Sequence, residues 1–151
     1  MKKILFVCTA NICRSPMAEA IFNAVAEDRK LPFRAQSAGV RAFEGAPLAP
    51  HAATVLDEAG IPLRNHRARQ INAPMLEQAE LVLAMSPNHL PHLLRLQDGA
   101  ASKIHTLPAF ATQTASPDGI SDPYGSSIFT YRSCLRLLMH YTELLVSRLE
   151  S

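Results

Sequence analysis

The segment Lys3–Cys8 carries a continuous apolar run where strict alternation would have placed polar residues, the pattern of a strand covered on both faces, as in a parallel sheet. After a polar loop, Ser15-Pro16 reads as an N-cap followed by proline at the first helical position, and Met17, Ala20, Ile21, Ala24 and Val25 then follow helical spacing. A second strand is predicted over Phe33–Ala38, followed by Gly39. Ala42–Pro50 reads as a surface loop, and His51–Ala59 as a helix closed by Gly60. Glu80–Met85 is a further buried-type strand. Ser86-Pro87 repeats the cap-plus-proline signal before a helix running to about Leu96, and Lys103–Thr106 is a short strand. Leu107–Gly125, with Pro108, Pro117, Gly119 and Pro123, reads as a long irregular segment, a length uncommon unless the loop is functional. From Ser127 onward, Ile128, Tyr131, Leu135, Leu138, Thr142, Leu145 and Leu149 recur at three and four, giving a long amphipathic C-terminal helix.

Strands alternating with helices predict an α/β fold: a single domain over residues 1–151, with a parallel four-stranded sheet and helices on both faces, flavodoxin-like or Rossmann-like. Such sheets bind ligands at the carboxyl ends of their strands, which points to the loop after the first strand.

Composition narrows the function classes. The 151 residues are 48% hydrophobic and 19% charged, ordinary globular usage, and the formal net charge of +2 is too small to argue for nucleic-acid or membrane-surface binding. Any anion must be held locally. The run after Lys2 and Lys3 is too short for a signal peptide, and three cysteines, Cys8, Cys13 and Cys134, do not make a secreted disulfide framework. A reducing, cytoplasmic setting is expected, and the oligomeric state as a monomer or weak dimer.

The first loop, Cys8-Thr9-Ala10-Asn11-Ile12-Cys13-Arg14-Ser15, ends a buried strand and leads into a helix. Its backbone N–H groups and the positive helix end can form an anion nest, a field that also favours a thiolate at Cys8. Arg14 adds a planar fork that grips two phosphate oxygens and follows them into an in-line transition state. These features together point to phosphoryl transfer to sulfur. The departing oxygen needs a proton donor that the loop lacks, and Asp122, in Asp122-Pro123-Tyr124, is the best candidate, with Tyr124 as an aromatic wall.

Cys8 to Pro16, with Met17-Ala18-Glu19 after it, resembles the signature of the low-molecular-weight protein tyrosine phosphatases. Ser37-Ala38-Gly39, His66-Arg67-Ala68-Arg69-Gln70, Leu81–Met85 and Asp122-Pro123-Tyr124 follow in family order. The resemblance implies a hydrolase acting on phosphotyrosine in proteins without metal or cofactor. Within it Cys8 is the nucleophile, Arg14 the transition-state binder and Asp122 the general acid and base. Thr9, Ala10, Asn11, Ile12, Cys13, Arg14 and Ser15 form the phosphate-binding loop. Asn11, Ser15, Ser37 and His66 brace it, and Ile12 and Tyr124 line the substrate pocket. Ala10 stands where the family usually has glycine, so a positive φ there would strain the loop. Ile12 matches the bulky apolar residue of tyrosine-specific members, whereas the protein arginine phosphatase subgroup has threonine at this place. Thr9, the His66 neighbourhood and Asp122–Gly125 with Ser127, Ile128 and Tyr131 look closer to that subgroup, which makes phosphoarginine the alternative substrate.

Other readings are weaker. Arsenate reduction would need a relay of resolving cysteines, and none lies between Cys13 and Cys134. A redox-sensing phosphate-binding module would have no use for Asp122. Cys13 is read as a partner that shields Cys8 in a reversible disulfide, and Cys134 as a core residue. His51, His89, His92, His105 and His140 are read as scattered surface groups, and Arg64, Arg67 and Arg69 as a solvated loop face.

Overall fold

The computed structural model describes residues 1–97, 99–115 and 118–151, so Pro117 of the long segment lies outside the described residues. Four parallel strands form one sheet in the order β2-β1-β3-β4: β1 (Lys2–Cys8), β2 (Phe33–Gly39), β3 (Leu81–Ala84) and β4 (Ile104–Thr106). Within β1, Ile4, Phe6 and Cys8 enter one core while Leu5 and Val7 enter the other, and β3 divides Leu81 and Leu83 from Val82 and Ala84 in the same way. Layers on both faces are what the unbroken apolar runs require.

One face is covered by α1 (Arg14–Asp28), α2 (Pro50–Glu58), α5 (Leu107–Thr112) and α6 (Ile128–Glu150), the other by α3 (Ala73–Gln78) and α4 (Leu90–Leu96). Tyr131, Cys134, Leu135, Leu138, Thr142, Leu145 and Val146 of α6 are buried against the first face, as the three-and-four spacing predicts, and Leu149 is partly buried beside them. Among the described residues no helix is long and apolar enough to cross a membrane.

The order of the strands positions the site. From β1 the chain passes to β2 on one side and later to β3 on the other, so the carboxyl end of β1 lies at the point where the order reverses, where such sheets leave a crevice. Into that crevice runs the loop after Cys8.

Several elements differ from the sequence reading. α1 starts at Arg14 with Cys13 at the N-cap, and among the described residues no side chain caps it, because the Ser15 hydroxyl bonds elsewhere. The segment after Ser86-Pro87 opens as a 3₁₀ turn, Pro87–His89, before α4. Two short helices are additional. The Asn72 side chain accepts from Met75 N to start α3, and Thr106 accepts from Ala109 N to start α5 inside the stretch read as irregular. Leu107, Pro108 and Ala111 hold α5 on the core, and Gln113 ends it in the left-handed region. Lys103 belongs to a 3₁₀ turn ahead of β4.

Candidate active site

A cavity of about 350 Å³ opens at the carboxyl end of β1, lined by Cys8 to Arg14 together with Asp122 and Tyr124. The chain supplies the floor from the first loop and the rim from the segment before α6, residues far apart in sequence. Ile120 ties that segment down: its N–H donates to Met85 O at 2.8 Å, and its carbonyl accepts from Arg14 Nη1 at 2.9 Å. Gly119 passes so close to Ser86 that a Cβ there would lie 2.4 Å from the Ser86 hydroxyl.

Cys8 Sγ lies 2.9 Å from Ser15 Oγ, beneath the cavity, and both residues are buried. Arg14 is also buried. Its Nη1 donates to Ile120 O and to Ser86 Oγ, its Nη2 donates to Thr9 Oγ1 at 3.2 Å, and Nη2 sits 3.5 Å from Asp122 Oδ2. Asp122 is half exposed, and its Oδ1 accepts from Tyr124 N at 3.1 Å, which aims the carboxylate at the cavity mouth. Tyr124 is 67% exposed at the rim, and Ile12 is partly buried.

The loop is braced from behind. Asn11, fully buried, takes φ of +58°; its Nδ2 donates to Ser15 Oγ at 2.8 Å and Ser37 Oγ at 2.9 Å, and its Oδ1 accepts from Arg69 N at 3.0 Å. Ala10 is not among the residues of positive φ, so the strain foreseen there falls on Asn11, a residue type that tolerates the left-handed region. His66 Nε2 donates to Asn11 O at 2.7 Å, which fixes the proton on that nitrogen. Thus Ser15, Ser37 and His66 sit behind the loop, while Thr9 to Arg14 face the cavity.

Besides Ser86 and Ile120, four further residues that the sequence reading did not place contact the site. Glu19 accepts from Ser37 Oγ at 2.6 Å, and its position in the signature run was the available signal. Gly39 abuts the loop backbone, where a Cβ would lie 2.5 Å from Thr9 O. Arg69, read as part of a solvated face, is half-buried and donates its side chain to Ser37 O. His89 is buried and not a surface group: the polar context of Pro87-Asn88 reads as exposed, yet the ring folds back to accept from Ser86 N and reach Thr9.

Cys13 and Cys134 are buried free thiols. Burial pushes Cys13 up to about 11 against a lowering hydrogen bond from Tyr131 Oη at 3.3 Å, and pushes Cys134 up to about 12. Both therefore stay protonated near neutrality. The arrangement around the cavity combines a thiol over a hydroxyl, a fixed guanidinium and a half-exposed carboxylate at the rim, a set that can attack, hold and protonate a phosphoryl ester.

The chain matches the model of the low molecular weight phosphotyrosine protein phosphatase family over residues 3–151. It is 40% identical over 129 residues to a protein-arginine-phosphatase of Bacillus subtilis, covering 85% of this chain and 84% of the relative. It is 37% identical over 142 residues to a low molecular weight protein-tyrosine-phosphatase of Streptomyces coelicolor, covering 90% and 86%. The solved structure of a low molecular weight protein tyrosine phosphatase from T. tengcongensis superposes with a TM-score of 0.92 at 38% identity, covering 98% of this chain and 99% of that one.

Proposed function

The chain belongs to the low molecular weight phosphotyrosine protein phosphatase family, and from that membership we propose that it hydrolyses phosphotyrosine in proteins through a phosphoryl group carried on Cys8. The observation that supports this most directly is that Cys8, Arg14 and Asp122 line one cavity, with Asp122 Oδ2 3.5 Å from Arg14 Nη2 at its mouth.

Cys8 Sγ attacks phosphorus, and the S–P bond forms as the bond to the phenolic oxygen breaks. The Ser15 hydroxyl, 2.9 Å away, donates to the sulfur while it is anionic. Arg14 cannot swing, because Ile120 O and Ser86 Oγ hold Nη1, so the rest of its edge meets the equatorial oxygens as their charge builds. Backbone N–H groups of the loop share that charge at the uncapped start of α1. Asp122 gives its proton to the leaving phenolate. It then takes one from a water that attacks phosphorus, which breaks the S–P bond, releases phosphate and restores the thiolate.

Ile12 and Tyr124 set the substrate class. An apolar wall beside the loop and an aromatic ring at the rim suit a phenyl ring, and Ile12 offers no polar atom to a guanidinium. The similarity to the Bacillus protein-arginine-phosphatase favours phosphoarginine as the second reading. Hydrolysis of matched phosphotyrosine and phosphoarginine peptides, with Cys8→Ala as the blank, separates them. Preference for phosphotyrosine is expected, preference for phosphoarginine moves the protein to the other substrate, and equal turnover by Cys8→Ala contradicts the mechanism.

A further inference from the structure

The buried ring of His89 lies in contact with the machinery yet takes no part in the steps above. Its Nδ1 faces Ser86 N–H at 3.2 Å and must accept, so the ring proton sits on Nε2, which donates to Thr9 Oγ1 at 3.0 Å. Thr9 Oγ1 also accepts from Arg14 Nη2 at 3.2 Å. Two donors fill the acceptor positions of a hydroxyl and leave its single proton to point away from both, and Thr9 lines the catalytic cavity. Ser86 closes the circuit: its N–H holds the ring, and its Oγ accepts from Arg14 Nη1 at 3.3 Å.

We propose that His89 is a positioning residue of this phosphatase. As the Nε2–H tautomer, it locks the Thr9 hydroxyl so that Thr9 and Ser86 clamp the two ends of the Arg14 guanidinium and the Thr9 proton is donated into the cavity. The inference rests on the phosphatase reading for its consequence in catalysis. Its hydrogen-bond content stands on the geometry alone.

The clamp needs a neutral ring. A second proton on Nδ1 would confront Ser86 N–H and set a cation beside Arg14. Burial, and after it the Arg14 charge, hold the imidazole down at about 4, with the Ser86 backbone and, after it, the Asp122 charge opposing. Arg41, His92 and Arg95 line an outer cavity of about 390 Å³ shared with His89 and Thr9, so the cationic surroundings extend to its solvent side.

The test measures binding of orthovanadate, which takes a five-coordinate form on the thiolate, and of inorganic phosphate by calorimetry, alongside kcat with an aryl phosphate. His89→Leu and Thr9→Val are each expected to weaken vanadate at least about tenfold and lower kcat about 10- to 100-fold, the scale of a misplaced catalytic group. Phosphate is expected to weaken much less. The double variant should be no worse than either single one, because both remove the same link. Additive losses, or equal losses on vanadate and phosphate, would overturn the proposal. Conservative variants keep it decidable if His89→Leu does not fold. In His89→Gln the amide nitrogen stands where Nε2 was and keeps the donor to Thr9, whereas His89→Asn keeps only the acceptor for Ser86 N–H. Gln must restore vanadate affinity and kcat well above Asn, and equal values for the two sink the idea. Absence of Cys8-dependent turnover in the wild type would refute the phosphatase reading instead, while the binding arm still judges the clamp.

Discussion

Replacing Asn11 by Ala should damage the loop more than any other single polar substitution in it. The side chain makes three hydrogen bonds, two donated to Ser15 and Ser37 and buried, and one accepted from Arg69 N–H and part-buried. At about 0.5–1.5 kcal/mol net for each, their loss amounts to about 1.5–4.5 kcal/mol, and the orphaned Arg69 N–H adds about 1–3 kcal/mol. The backbone adds a further cost, because φ of +58° is tolerable for Asn but disfavours Ala by about 1 kcal/mol. The sum, about 3.5–8.5 kcal/mol, is a large share of the roughly 5–15 kcal/mol that holds a domain of this size together. Urea unfolding followed by circular dichroism measures it. Asn11→Gly separates the contributions: it loses the same hydrogen bonds without the φ cost, so it should be more stable than Asn11→Ala by about 1 kcal/mol, the reverse of the usual order. A loss below about 1 kcal/mol in Asn11→Ala, or a glycine variant less stable than the alanine one, would refute this account of how the loop is held.

Four other outcomes follow from the same contacts. Asp122→Asn should lower kcat for phosphotyrosine by about 10²–10⁴-fold, with a smaller loss on an aryl phosphate whose leaving group needs no proton; equal losses on both substrates would remove Asp122 from the role of acid. Gly39→Ala places a Cβ 2.5 Å from Thr9 O, a backbone atom, and should cost about 1–3 kcal/mol in stability with a matching fall in phosphate affinity. In the unfolded chain His89 protonates near 6.5, whereas the folded ring resists until about 4, so the unfolded state binds more protons in that window and stability falls as pH drops through it. The loss should reach about 3 kcal/mol at pH 4, and thermal melts of His89→Gln should lack that component. Iodoacetamide at pH 7 should leave Cys13 and Cys134 unmodified in the folded protein, since burial holds both as thiols, and peptide mapping that finds either alkylated first would contradict their environment.

The unbroken apolar runs of β1 and β3 declared a two-faced sheet, and the cysteine-to-serine loop declared its crevice, because both signals are local and continuous along the chain. Asp122 was legible as a candidate by chemical need and by the resemblance: the loop lacks an acid, and a stiff Asp-Pro-Tyr stretch in family order could supply one. What escaped was non-local. Ser15 looks like a helix cap, yet its hydroxyl is claimed by Cys8 and Asn11, which moves the cap to Cys13. α3 and α5 span only six residues each and are set by single side-chain caps at Asn72 and Thr106, too short for periodicity to reveal. His89 reads as exposed from its neighbours, yet its buried ring bridges Ser86 N–H and Thr9, which is brought from the end of β1.

The central claim, that phosphate passes through Cys8, is tested most directly by rapid-quench trapping. The enzyme is mixed with an aryl phosphate, quenched in acid within a turnover, and its peptides mapped by mass spectrometry. The account predicts one phosphoryl group on the peptide containing Cys8, formed no slower than the first turnover and absent from Cys8→Ala. Phosphate on another residue, or turnover with no phosphoenzyme formed at a competent rate, would contradict it.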